Sequence, residues 1–429
     1  HIPAASDANN LINIGHQQLN RGEVASAIAT FSKAIEQDPR NDLAYANRAI
    51  SYFWDEAYDK AERDAEQALK LNRSNPVTYR VRGLLAKHAL HFDDALADLT
   101  RSLQLDDDNS FTYYQRALVY EARQQATQAR ADAEQAIRRH PADVPAAYPL
   151  LARLYQARGD TERAAAQAEA LITALPASTQ SYIYAAEIYS QLDQNDAAQA
   201  AIERGLRAAP DIRLHLTRAA LLPVKDVQGR RTAIEAALAL NPGDAEALQM
   251  RAELESHTLH YQDAIATLST VLRSMPEQRP ERANALMNRG LLYSKLKQPN
   301  AAQHDFDAAN TVSTTTSAKN NICWALAIRN LALPAALNYC EAALALAPNN
   351  VNAWDSKGMV LLRMGRYQDA VSAYTTALGL RASMAPSLYG RGIAQHRLGR
   401  YTEGDADIKA AVTLDQSISA RFVNYGLKP

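Results

Sequence analysis

Cysteine is nearly absent from this chain, with two in 429 residues. Glycine (16) and proline (17) are also sparse. That is too little turn chemistry for an all-β protein, whose many short strands need Gly/Pro-rich turns. Neither sign of charge dominates: 46 Lys+Arg against 47 Asp+Glu leave a net charge of −1. The balance argues against a nucleic-acid binder that relies on a global phosphate-attracting field. No apolar run approaches the roughly 18–20 residues of a membrane helix, so no direct membrane insertion is expected. GxSxG, P-loop, HExxH and dinucleotide fingerprints are missing. Asp106-Asp107-Asp108 resembles a calcium loop only in charge, without alternating ligands or the glycine. Neither enzyme chemistry nor a cofactor is therefore expected. The chain opens HIPAASDANN, with no initiator Met and no signal peptide, as a processed or trimmed chain would. What it has instead is abundant alanine with Leu, Gln, Arg and Glu, a helix-forming composition.

The helices repeat. The segments AIEQDP, ALKLNR, SLQLDD and AIRRHP end at Pro39, Arg73, Asp107 and Pro141, each 34 residues after the last. Similar segments end at Pro176, Pro210, Pro242 and Pro348. Twelve copies follow, beginning at Ala8, Asp42, Pro76, Ser110, Pro145, Thr179, Asp211, Ala245, Ala283, Ser317, Val351 and Ala385. Small residues recur at repeat positions 8, 20 and 27, and large ones at 4, 11 and 24. Repeat two shows Tyr45, Ala49, Tyr52, Ala61 and Ala68. Repeat eleven shows Trp354, Gly358, Leu361, Ala370, Tyr374 and Ala377. Neither helix of such a pair can bury its apolar face alone, so neighbours must stack into one continuous core.

This pattern resembles the tetratricopeptide repeat family over residues 8–418. The resemblance implies an all-α, right-handed superhelical solenoid of about twelve helix-turn-helix repeats, with a concave surface made by the first helix of each pair. The expected organisation is an N-terminal extension (1–7), repeats one to eight (8–278), an inserted linker (279–282), repeats nine to twelve (283–418) and a capping tail (419–429). Pro223, in LLPVKDVQG, interrupts repeat seven, and MPEQRPER marks a candidate bend before repeat nine. The last three repeats also resemble C-terminal arrays of bacterial cell-envelope proteins, some of which carry a transglutaminase-like region that this sequence lacks. That resemblance implies a periplasmic or envelope location, the alternative being the cytoplasm.

Two correlations run through the repeats. Position 7 is Arg in six of them (Arg48, Arg82, Arg116, Arg251, Arg289, Arg391), and five of these carry Asp at position 23 (Asp64, Asp98, Asp132, Asp305, Asp407). In an antiparallel hairpin these positions face each other, so the pattern predicts Arg–Asp pairs that fix helix register; the alternative is an Arg stripe for acidic ligands. Desolvation offsets much of the attraction in such pairs. Cys323 and Cys340 fall on facing positions 7 and 24 of repeat ten, which predicts a disulfide and an oxidising compartment, against the alternative of two buried thiols. His88/His91 and His257/His260 are spaced as a metal pair would be, but no third ligand accompanies them, so no metal is expected.

The family resemblance implies that repeat positions 2, 5, 9, 12 and 13 face the concave surface, and these carry the candidate binding residues. Repeats two to four contribute Leu43, Ile50, Phe53, Trp54, Arg80, Leu84, Lys87, His88, Phe111, Tyr114, Leu118 and Glu121, a groove of aromatics with a few charges suited to a peptide. A second, more basic patch comprises Met359, Leu362, Arg363, Tyr389, His396 and Arg397. Arg153, Gln156, Glu187, Gln191, Glu246 and Glu253 read as solvated surface. The carboxylate clamp of some family members needs Lys and Asn where repeat one has Ile12 and His16, and Lys and Arg where repeat three has Val77 and Val81. Only Asn47 matches, so that mode is rejected. The expected function is a non-enzymatic scaffold or adaptor that binds a protein or peptide partner. The alternatives are a recruiting region of a larger envelope enzyme and a self-assembling structural solenoid; Phe422 and Tyr425 in the tail would cap the last hairpin against open-ended stacking.

Overall fold

The computed structural model describes residues 4–429. It contains twenty-five α-helices and a short 3-10 helix, Pro141–Asp143, with no strand among the described residues. The chain forms two compact units that divide after Leu222. Each unit is a stack of antiparallel helical hairpins, as the repeat pattern predicts. Unit one holds repeats one to six and the first helix of repeat seven, Ile212–Leu221. Unit two holds the second helix of repeat seven, Val227–Leu240, and repeats eight to twelve. The division has a local cause. Leu222 is extended (φ −68°, ψ 146°), the conformation imposed on a residue that precedes proline, and Pro223 cannot donate a helical hydrogen bond. The inserted stretch beginning at Arg279 leads through a turn into the helix Arg282–Lys295.

The hairpins start where the sequence places side-chain caps. Asn41, Asn75, Asn109 and Asn350 accept from the backbone N–H groups of Ala44, Val77, Thr112 and Ala353 at 2.9–3.1 Å. Each cap of this type contributes about 1 kcal/mol. Within the hairpins, position 15 adopts left-handed backbone. Glycine occupies it at Gly22, Gly159, Gly365 and Gly399, but Glu56, Leu90, Gln124, Asp193, Leu259 and Lys297 adopt it as well.

Close helix approach explains the small residue at position 8. A Cβ on Gly290 would lie 2.5 Å from the Phe306 ring, and one on Gly358 would lie 2.6 Å from the Tyr374 ring. Phe306 and Tyr374 both stand at position 24. Where that position is Ala65 or Ala133, position 8 is Ala49 or Ala117, and all four are buried. Repeat ten departs from this rule: position 8 is Trp324, position 24 is Cys340, and the structure joins Cys340 to Cys323 with Cα atoms 5.4 Å apart.

The predicted Arg–Asp pairs form. Arg48–Asp64, Arg116–Asp132, Arg289–Asp305 and Arg391–Asp407 each make two parallel hydrogen bonds of 2.6–2.9 Å. The third guanidinium nitrogen reaches the preceding repeat, donating to Ser32, Thr100, Ser269 or Thr375 at 3.1–3.3 Å. All four hydroxyls stand at position 25, so each arginine ties its own hairpin to the one before. The fifth pair is loose. Arg82 stays 3.7 Å from Asp98, and position 25 of the preceding repeat is Glu66. Burial raises the Asp98 carboxyl above its usual range, and the distant Arg82 offsets this only in part.

The first helices of successive hairpins touch within repeats one to four, five to seven and ten to twelve, while contacts between second helices are sparse. The first helices therefore line the inner face, where the candidate residues lie.

Candidate binding faces

On the inner face of repeats two to four, the aromatic residues converge. Trp54 is 47% exposed. Its ring meets Phe53 at 5.2 Å and Phe111, two repeats away, at 6.1 Å, both edge-on. Phe53 also packs edge-on against Tyr58 and His88, and His88 stacks on Tyr58 at 4.0 Å. Ile50 and Leu84 do not line this face; both are buried in the core between helices, because their positions turn toward the neighbouring hairpin. Leu118 and Tyr114 are half-buried against the core of repeats four to six. Burial raises the Tyr114 phenol, with a smaller contribution from Tyr184.

Two cations sit beside these rings on neutral partners. Arg80 donates to the Thr112 hydroxyl at 2.8 Å, and Lys87 to the Gln115 side-chain carbonyl at 2.9 Å. Burial lowers the pKa of both. His16 is held below its usual range by burial and by the Arg80 charge. The hydrogen-bond partners of Arg80 and Lys87 are neutral, with the Asp106 carboxylate offsetting part of the burial of Arg80, whereas in the next repeat Arg153 makes two 2.9 Å hydrogen bonds to Glu121.

The second patch, in unit two, is not an open face. Met359, Leu362 and Tyr389 are buried. The helix Ile418–Asn424 lays Phe422 on Tyr389 with ring centroids 4.6 Å apart, and Tyr425 meets Trp324 edge-on at 5.9 Å. Arg363 donates to the carbonyls of Ala327 and Ile328 at 3.2 and 3.0 Å, and also to that of Tyr425. Arg397 donates to the Lys428 carbonyl at 2.9 Å, and His396 bonds Asp405 at 2.8 Å. Arg363, Tyr389 and Arg397 hold the C-terminal segment against repeats ten to twelve, whereas His396 ties the two helices of repeat twelve together. The tail helix packs over the apolar part of the patch, and Arg397 stays exposed.

Behind that face lies a buried acid. Asp355 accepts from the Ser387 hydroxyl at 2.6 Å, and burial pushes its carboxyl up to about 6. The nearby Tyr374 hydroxyl is buried without a hydrogen-bond partner. Elsewhere, His257 bonds the Glu253 carbonyl and His260 the Thr258 hydroxyl. Among the described residues no group of three His, Cys, Asp or Glu side chains converges as a metal site, and no helix is long and apolar enough to cross a membrane.

Family models described as tetratricopeptide repeat match residues 12–76 and 356–417, 111–143, 179–212 and 283–314, and 339–372, together more than half of the chain. The chain belongs to the tetratricopeptide repeat family, a fold that commonly serves as a protein-interaction scaffold. Human tetratricopeptide repeat protein 28 is 35% identical over 78 residues, 17% of this chain and 3% of that protein. Human RNA polymerase II-associated protein 3 is 35% identical over 69 residues, 16% of this chain and 10% of that protein. The chain thus spans a small part of the length of these curated relatives. Among solved structures, yeast Tom70 aligns with 99% of this chain and 95% of its own at 14% identity and a TM-score of 0.44. A tetratricopeptide repeat protein from Parabacteroides merdae aligns with 55% of this chain and 94% of its own at 20% identity and a TM-score of 0.39.

Proposed function

We propose that the chain is a non-enzymatic binding scaffold that holds a protein segment on the inner face of repeats two to four. Exposed Trp54, set edge-on to Phe111 beside Arg80 and Lys87, carries this reading. A large, partly exposed aromatic side chain supplies contact area at low entropic cost, and interface anchors are enriched in such residues. The segment that fits presents an apolar or aromatic side chain to Trp54 and Phe111, and an acidic group to Arg80 and Lys87. Phe53, Tyr114 and Leu118 shape the face from behind, while Ile50 and Leu84 act through packing.

The same reading places the scaffold in an oxidising bacterial envelope compartment. The support is the Cys323–Cys340 pairing, because disulfides persist outside reducing cytosol. The test is a comparative pull-down from an envelope fraction, with the wild-type chain and a Trp54→Ala/Tyr114→Ala variant of matched helix content as baits. The scaffold reading expects a protein retained by the wild type and lost by the variant. Identical retention by both baits would make the aromatic face structural.

A further inference from the structure

The inner face of unit two carries a groove that the preceding reading does not use. Its volume is about 730 Å³. It is lined by the first helices of repeats eight and nine, Ala245–His257 and Arg282–Lys295, and by residues following the first helix of repeat ten, Thr316–Ile328. Its floor is apolar, with Leu268 and Leu292 buried beneath it. Glu246 and Glu253 enter it from one helix. They are seven residues apart, so they share a face and stand about 10 Å apart along the axis. Lys295 and Arg329 enter from the next two repeats.

None of these four charges forms an ion pair among the described residues. Arg329 donates to the Ala325 carbonyl at 2.9 Å, and the Lys295 ammonium lies 5.2 Å from the centre of the Tyr261 ring. Unit one treats the corresponding face differently, closing Glu121 on Arg153. Two acids from one repeat and two bases from the following repeats, all unneutralised over an apolar floor, make a groove with a charge direction. Complementary charge selects both partner and register at such a surface.

We infer that this groove docks a partner segment of mixed charge. A basic side chain of the segment lies against Glu246 and Glu253, an acidic one against Lys295 and Arg329, and an apolar one over Leu292 between them. The inference shares with the preceding reading only the class of ligand, a protein segment, and none of its residues. A wholly acidic segment meets repulsion at Glu246 and Glu253; a wholly basic one meets it at Lys295 and Arg329.

The test pans a phage-displayed library of random short peptides on the full chain, then measures the enriched peptides by fluorescence anisotropy. Enriched peptides are expected to carry a basic and an acidic residue on either side of an apolar one. Affinity is expected to fall about tenfold or more in Glu246→Lys/Glu253→Lys and in Lys295→Glu/Arg329→Glu. The milder Glu246→Gln/Glu253→Gln variant, which adds no repulsion, gives a smaller loss, and circular dichroism confirms that each variant folds. Trp54→Ala leaves binding unchanged. Failure to enrich any peptide, enrichment of peptides of one charge sign, or affinity indifferent to the unit-two variants would overturn the inference. Binding lost in Trp54→Ala would overturn it too, by placing the peptide on unit one, and would leave the scaffold reading standing.

Discussion

The inner faces of repeats two to four and of repeats eleven and twelve are built from the same repeat positions, yet they end in opposite states. In the first, Trp54 is left half in solvent and Arg80 and Lys87 rest on neutral partners. In the second, the chain's own C-terminal segment packs on the face: Phe422 on Tyr389, Tyr425 on Trp324, and backbone carbonyls on Arg363 and Arg397. The difference teaches that repeat position decides which face a side chain joins. Whether that face is free depends on a segment outside the repeat pattern.

The comparison breaks most sharply if the cover is loosened. Phe422 is 1% exposed, and truncating a buried Phe costs about 3–5 kcal/mol. Phe422→Ala should therefore release the terminal helix and speed amide hydrogen exchange across Ala385–Arg397, while exchange in repeats two to four stays unchanged. Local exchange is the right readout, because repeat arrays need not unfold as one unit.

The buried acid behind the covered face gives a pH test. Its folded pKa of about 6 lies above the ordinary aspartate value. The native state therefore holds a proton that the unfolded chain has already released, and stability falls as pH rises from about 4 to 6. Asp355→Asn should be more stable than wild type by about 1–3 kcal/mol at neutral pH, with the gain gone below pH ~4. Thermal melts across that range would show it; a gain of equal size at every pH would contradict the assignment.

Two smaller effects sharpen the view of how hairpins are tied together. Asp132→Ala leaves Arg116 without its carboxylate, part-buried between two hairpins, and should cost about 2 kcal/mol. Asp98→Ala removes a poorly paired, desolvated carboxylate and should cost under about 0.5 kcal/mol. Parallel denaturation of the two variants separates them. Leu259 holds left-handed backbone (φ 65°) and is 72% exposed, so Leu259→Gly should stabilise the local hairpin by about 1 kcal/mol, visible as slower exchange at repeat eight.

Most of the fold was legible because each constraint recurs. The spacing located hairpins that begin at Asp42, Pro76, Ser110, Thr179, Ala245, Val351 and Ala385, as the structure has them. Facing positions also identified the Arg–Asp pairs and placed the two cysteines opposite each other. The hydroxyl at position 25 escaped notice, although Ser32, Thr100, Ser269 and Thr375 stand before every arginine that makes a close pair. The turn at position 15 is weakly signalled, since only four of its left-handed residues are glycine. The binding faces were harder to read. Ile50 and Leu84 are apolar at inner positions, and only three-dimensional packing shows that they turn into the core. Glu246 and Glu253 read as solvated surface and are exposed, but nothing in one helix reveals that Lys295 and Arg329 share their groove.

The most direct measurement places the photo-crosslinker benzoylphenylalanine in turn at Trp54 and at Tyr389 in cells of the source organism. Crosslinked products are then identified by mass spectrometry. An open face at repeats two to four and a covered one at repeats eleven and twelve predict a partner protein captured from Trp54, and only the chain's own Phe422 region from Tyr389. Capture of the same outside protein from Tyr389, or of none from Trp54, would contradict the account.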